Sequence, residues 1–210
     1  MNYVDFLARW GHVLFGITWI GLLYYFNFVQ GEYFKEAEAD AKSNAVKKLV
    51  PRALWWFRWG AMGTFLTGLY LYVKLGGSAN AYISVGALAG TIMFLNVWLI
   101  IWPAQKIVCG IVDGDAAAAA PKAALASRTN VLLSAAMLMG MLGSKHGTGD
   151  AINGLSATGL SIGLIIALLV VILLGVNGVK GKMGPMASVS GVITSSIVLA
   201  VILFGILNFL

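Results

Sequence analysis

YISVGALAGTIMFLNVWLIIW, from Tyr82 to Trp102, contains no charged residue, and its reading decides the fold. A helix that crosses a bilayer needs about 20 mainly apolar residues, and this stretch supplies them. Similar runs recur on both sides. Phe6 to Val29 and Ala53 to Val73 precede it. Asn130 to Lys145, Leu155 to Val176 and Ala187 to Phe209 follow. The expected fold is all-α, a polytopic transmembrane bundle of about six spans in a single domain, residues 1–210. Four spans fall within residues 1–150, and two Gly- and Val-rich spans fall within 151–210. The fourth is short and ends in polar residues.

Composition agrees. The chain is 60% hydrophobic and 10% charged, where a soluble domain carries about a quarter charged residues. The first apolar run is long and lacks a small-residue cleavage site, so no cleaved signal peptide is expected. Between the first two spans, Glu32, Lys35, Glu36, Lys42, Lys47 and Lys48 read as a short surface helix that Pro51 ends. Asp113-Gly114-Asp115 and five alanines read as an exposed helix or linker before the fourth span.

The net charge of +6 comes from short loops, where membrane topology requires it, and does not point to nucleic acid. Of the 14 Lys and Arg residues, Lys35, Lys42, Lys47, Lys48, Arg52, Arg58, Lys106, Lys122, Arg128, Lys180 and Lys182 lie on one side. Arg9, Lys74 and Lys145 lie on the other. The cation-rich side is expected inside and both termini outside. Trp55, Trp56 and Trp102 at the inner interface and Trp10 at the outer one form the aromatic belt.

Two histidines are present, His12 near the start of the first span and His146 at the end of the fourth. Helix order and orientation place both near the outer surface. Two imidazoles at one depth can ligate a haem b iron. Gly16 and Gly143, one turn deeper than each, leave room for a flat porphyrin. Arg9 and Lys145 stand ready for its propionates. The haem would be non-covalent, because with the single Cys109 there is no C-x-x-C-H attachment motif. Two plainer readings stay open. His12 can be a buried histidine bonded to a neighbouring helix carbonyl, and His146 a solvated loop residue. Copper is a further option for imidazole, but Met137, Met139 and Met141 alternate and do not share a helix face. Deeper polar residues are Asn27, Arg58 and Asn96. Arg58 reads as an interfacial anchor or as the cation of a contact with the surrounding Trp55, Trp56 and Trp59. Gly159 and Gly163 read as a small-residue helix face. No Ser-His-Asp order, phosphate loop or catalytic carboxylate pair is present.

The block Gly11-His12-Val13-Leu14-Phe15-Gly16-Ile17-Thr18-Trp19-Ile20-Gly21, with Tyr24 and Asn27, resembles the opening of the membrane domain of bacterial membrane-bound urate oxidases (urate hydroxylases). The likeness continues through Arg58-Trp59, Thr67-Gly68, Asn96-Val97-Trp98 and Ile101-Trp102-Pro103-Ala104-Gln105-Lys106. It ends with Arg128-Thr129-Asn130-Val131-Leu132-Leu133-Ser134 and Ser144-Lys145-His146. The resemblance implies a multi-pass protein of the bacterial inner membrane, linked to oxidation and electron transfer. Members of that family carry a C-terminal cytochrome c domain, which this sequence lacks. The expected role is therefore a haem b-binding redox subunit that meets a cytochrome c-type or other redox protein on the outer side. The alternative is a non-catalytic subunit packed in a larger complex or a homo-oligomer.

Overall fold

The computed structural model describes residues 2–155 and 159–210. Seven helices account for most of them. Helix α1 runs Tyr3–Glu36, α2 Ala39–Lys48, α3 Val50–Leu75, α4 Ala81–Val108, α5 Ala116–His146, α6 Ile162–Lys180 and α7 Val189–Phe209. All but α2 are long. Five of them pass as membrane-crossing by length and hydropathy. The sixth, α3, has 26 residues. It carries no charge from Trp59 to Val73, and its hydropathy is lowered by Trp, Tyr, Gly and Thr rather than by ions. The chain is a multi-pass membrane protein with about six spans.

Four boundaries differ from the sequence reading, each for a local reason. The charged segment after Val29, read as one short surface helix, instead begins as a continuation of α1, which runs through a π-helical turn at Tyr25–Gln30 to Glu36. Glu32 and Lys35 form an ion pair of 2.8 Å on that extension. Pro51 begins α3 rather than ending the surface helix. In the first turn its missing N–H costs no helical bond. The fourth span is not short, because the alanine run is the start of α5, 31 residues long and capped by Asp115 at the N–H groups of Ala117 and Ala118. The fifth span begins at Ile162, capped by Ser161, instead of at Leu155. The intervening residues 156–158 lie outside the described residues. Gly159 has φ +71° and precedes the helix, so it shares no face with Gly163. An added Cβ on Gly163 would sit 2.5 Å from the Ile206 carbonyl oxygen. That glycine therefore serves packing of α6 on α7.

The spans alternate up and down, which brings both termini to one end. There Tyr70 donates to Asp5 at 2.8 Å, and Asn208 donates to Tyr82 Oη at 2.7 Å. Asn80 ties the α3–α4 turn to this rim by donating to the carbonyls of Ser144 and Ile152, both at 3.0 Å. Helix lengths are unequal. At 1.5 Å per residue α1, α4 and α5 measure about 40–50 Å, against a hydrocarbon core of about 30 Å, whereas α6 and α7 are about 30 Å. The long helices are flush at the rim that holds the termini. Their excess projects at the opposite, cation-rich end.

Helices α4, α5, α6 and α7 form the main bundle, and α1 and α3 pair beside it. With lipid outside, the hydrophobic effect does not drive helices together, so close packing and hydrogen bonds must do so. On α4 and α5 this is literal. An added Cβ on Gly140 would lie 2.6 Å from Gly86 N and 2.6 Å from the Tyr82 carbonyl oxygen. Further along the same helix pair, Asn96 donates to Asn130 Oδ1 at 2.8 Å, and Asn130 donates to the Met93 carbonyl at 3.0 Å, all buried. Asn130→Leu strands the Asn96 amide. It is expected to destabilise the protein by about 1–2 kcal/mol, read as lowered thermal stability in detergent. An unchanged melting profile would contradict the role given to this pair.

Arg58 stacks its guanidinium 3.7 Å from the ring centre of Trp102 on α4, and not on Trp55, Trp56 or Trp59 of its own helix. The π-helical turn at Val97–Ile101 lies immediately before Pro103, whose ring nitrogen cannot donate back to the helix. That turn sets Trp102 facing α3.

Cys109 follows α4 at the cation-rich end. Burial pushes its thiol pKa up, and the thiolate is the reactive species. Alkylation is therefore expected to be slow at neutral pH and to accelerate as pH rises past the ordinary thiol range. With the inside assigned to this end, a membrane-impermeant maleimide should label Cys109 in inside-out vesicles only. Labelling in right-side-out vesicles would reverse the topology.

Candidate functional site

His12 sits on α1 where that helix presses on α3. Its Nδ1 lies 2.9 Å from the Thr64 carbonyl oxygen and 3.2 Å from Thr67 Oγ1. A carbonyl oxygen only accepts, so Nδ1 carries the proton. In the neutral ring the lone pair then lies on Nε2, which bonds to none of the described residues. Thr67 gives its own hydroxyl proton to the Gly63 carbonyl at 2.6 Å, which fixes it as a second acceptor toward the imidazole. Gly68 completes the seat, because a Cβ there would lie 2.8 Å from His12 Cε1. The ring is thus half-buried and held in one tautomer, the second-sphere arrangement found behind metal-bound histidines. The plainer reading, a histidine bonded to a neighbouring carbonyl, describes the same contact.

Gly16 lies one turn deeper on α1. Within 4 Å of its missing Cβ only Thr64 Cγ2 is found, at 4.0 Å, so the face beside His12 is flat and open. Three residues further, the buried Trp19 indole N–H bonds to none of the described residues. Arg9 is exposed one turn outward of His12. His12, Gly16 and Trp19 therefore make one stripe on α1, with a nitrogen lone pair, a gap and an orphaned donor in order.

The other half of the expected site is arranged differently. His146 is the last residue of α5 and is exposed, as is Lys145. The space beside Gly143 is taken by the ring of Tyr82, which also packs on Gly147. No porphyrin slot exists at Gly143, because this glycine lets α4 approach α5. Tyr82 is the second residue of α4, so His146 stands at the rim itself. His12 faces Gly68, seven residues short of the outer end of α3 and hence about 10 Å deeper. The two imidazoles do not contact each other. Among the described residues no three His, Cys, Asp or Glu side chains converge.

Sequence reading passed over Thr64 and Trp19 as site residues and met Thr67 and Gly68 only as part of a resemblance. A signal existed, since Gly60, Gly63, Thr64, Thr67 and Gly68 make a small-residue face on α3 at helical spacing.

A family model described as urate oxidase N-terminal matches residues 70–203. The match runs from the outer part of α3 through α4, α5 and α6 into α7, and so includes the two spans that carry no recognised sequence block. No curated protein and no solved structure matches the chain. With more than half its length matched, the chain belongs to the urate oxidase N-terminal family.

Proposed function

We propose that this urate oxidase-related membrane domain is the membrane subunit of an oxidoreductase in the bacterial inner membrane, and that it holds a non-covalent haem b through His12. The observation that carries the reading is the His12 seat. An ionisable side chain within a span is costly and tends to be functional. Here the ring is fixed by Thr64 and Thr67 in the tautomer that leaves Nε2 free as a ligand.

Three neighbouring features support the reading. Gly16 keeps one face of α1 bare, the Trp19 N–H bonds to none of the described residues, and Arg9 is placed one turn outward to pair with a propionate. Bound there, haem would supply a one-electron carrier. The protein's own part is to hold the imidazole, exclude water with the α1–α3 contact and set the site near the outer leaflet. In this reading electrons would pass to a cytochrome c-type partner on that side. His146 and Lys145, exposed at the rim of α5, would meet such a partner rather than the haem.

A reduced-minus-oxidised optical spectrum of the purified protein tests the reading. Protein expressed with ample haem should show a b-type difference band. Folded protein with no such band overturns the haem assignment, and stoichiometric copper in its place would favour the copper alternative.

A further inference from the structure

Two cations meet one ring where α3 and α4 approach the cation-rich end. Arg58 on α3 lies 3.7 Å from the centre of the Trp102 ring, and Lys106 Nζ, one turn past Trp102 on α4, lies 5.8 Å from it. All three side chains are half-exposed. A cation–π contact draws on the ring quadrupole and uses none of the cation's N–H donors. Neither Arg58 nor Lys106 donates a side-chain hydrogen bond to any described residue. The one ion pair among those residues joins Glu32 to Lys35. The cluster therefore holds two positive charges and a set of unused donors, with no carboxylate to neutralise them.

Depth decides what can serve as the counter-ion. Measured from Leu75 at the outer end of α3, Arg58 is about 25 Å down the helix axis. Measured from Ala81 at the outer end of α4, Trp102 is about 31 Å down. The Arg58 side chain thus extends toward the cation-rich end to reach the ring, as a snorkelling arginine does. With a hydrocarbon core of about 30 Å, the ring and its cations lie at the headgroup boundary of that leaflet. Trp55, Trp56 and Trp59 are exposed on the same stretch of α3, and tryptophans collect at this boundary.

We propose that Arg58, Trp102 and Lys106 form a site for the phosphate of an anionic phospholipid, of the phosphatidylglycerol type, in the leaflet at the cation-rich end. The guanidinium edge matches two phosphate oxygens at once, and Lys106 adds a second charge from the neighbouring helix. Basic sites between spans recognise anionic head groups in this way. A lipid phosphodiester already resides at this depth, with its acyl chains in the bilayer beside the exposed tryptophans, so the site needs no cavity. A zwitterionic lipid carries its own ammonium, which two unpaired cations disfavour. Free phosphate would give up its hydration to reach the same point. The site lies apart from the His12 seat and holds whether or not haem is bound.

Native mass spectrometry of the full chain in mild detergent tests the site. The protein is mixed with equal amounts of phosphatidylglycerol and phosphatidylcholine carrying the same acyl chains. Phosphatidylglycerol adducts should exceed phosphatidylcholine adducts by about tenfold or more, since each basic group near an anionic head group is worth about fivefold. Arg58→Gln and Lys106→Gln should each cut the preference about fivefold. Lys180→Gln, which removes an exposed cation on α6, should leave it unchanged. If Arg58→Gln does not fold, Lys106→Gln, the loss of a half-exposed side chain, decides alone. A wild type without preference, an undiminished preference in either folded variant, or an equal loss in Lys180→Gln overturns the proposal. Displacement of phosphatidylglycerol by inorganic phosphate at the same concentration also overturns it, by showing a free-anion site.

Discussion

His12→Ala is expected to abolish haem b binding, with more than tenfold loss of the difference band at equal protein, while the helical bundle stays folded. The ring is only half-buried, and its loss removes the one Nδ1–H bond shared between the Thr64 carbonyl and Thr67 Oγ1. The stability cost should be about 1 kcal/mol, too little to unfold six packed helices. Added imidazole should restore part of the band, since the substitution leaves an imidazole-sized gap between α1 and α3. Thr64 contributes a backbone carbonyl, so Thr64→Val should leave the band in place. His146→Ala should also keep the band, because that residue stands about 10 Å further out at the rim. Loss of the band in His146→Ala but not in His12→Ala would contradict the assignment.

Gly140→Leu carries the largest expected effect on the fold. The space for any side chain at that position is already occupied by Gly86 N, Gly86 Cα and the Tyr82 carbonyl oxygen, all within 2.7 Å of where its Cβ would be. These are backbone atoms of α4, so no rotamer change relieves the overlap. Overpacked cores lose about 1–3 kcal/mol when side chains can yield, and here the helices themselves must separate. Separation would also pull Asn96 from Asn130 and Asn80 from Ser144. Little folded protein should be recovered from membranes in detergent, judged by size-exclusion profile. Gly21→Leu is the matched control, because nothing lies within 4 Å of that glycine's missing Cβ. Equal yields from the two variants would show that the α4–α5 contact is not what holds the bundle.

The spans and their alternation were legible because burial in lipid imposes a uniform requirement. Long uncharged runs such as Tyr82 to Trp102 have no other stable use. Boundaries were harder wherever helix continues beyond the hydrocarbon. Nothing in Gln30 to Glu36 or Ala116 to Ala120 distinguishes a charged or alanine-rich helical extension from a loop by hydropathy. That is why the projection at the cation-rich end, built from those extensions, had no sequence signature. At the candidate site, His12 stood out because ionisable residues are scarce in spans. Its partners did not, since Thr64 acts through a carbonyl that every residue possesses. Gly143 was misread as a gap for the same reason. A glycine shows that a side chain is absent, not whether a neighbour such as Tyr82 has filled the space.

The most direct measurement is haem content per chain, by pyridine haemochromogen assay on monodisperse wild-type protein purified from haem-replete cells. One non-covalent haem b per chain, extractable by acidified solvent and lost in His12→Ala, is the expected result. A folded wild-type protein with no haem b, or one whose haem is retained undiminished in His12→Ala, would contradict the central claim.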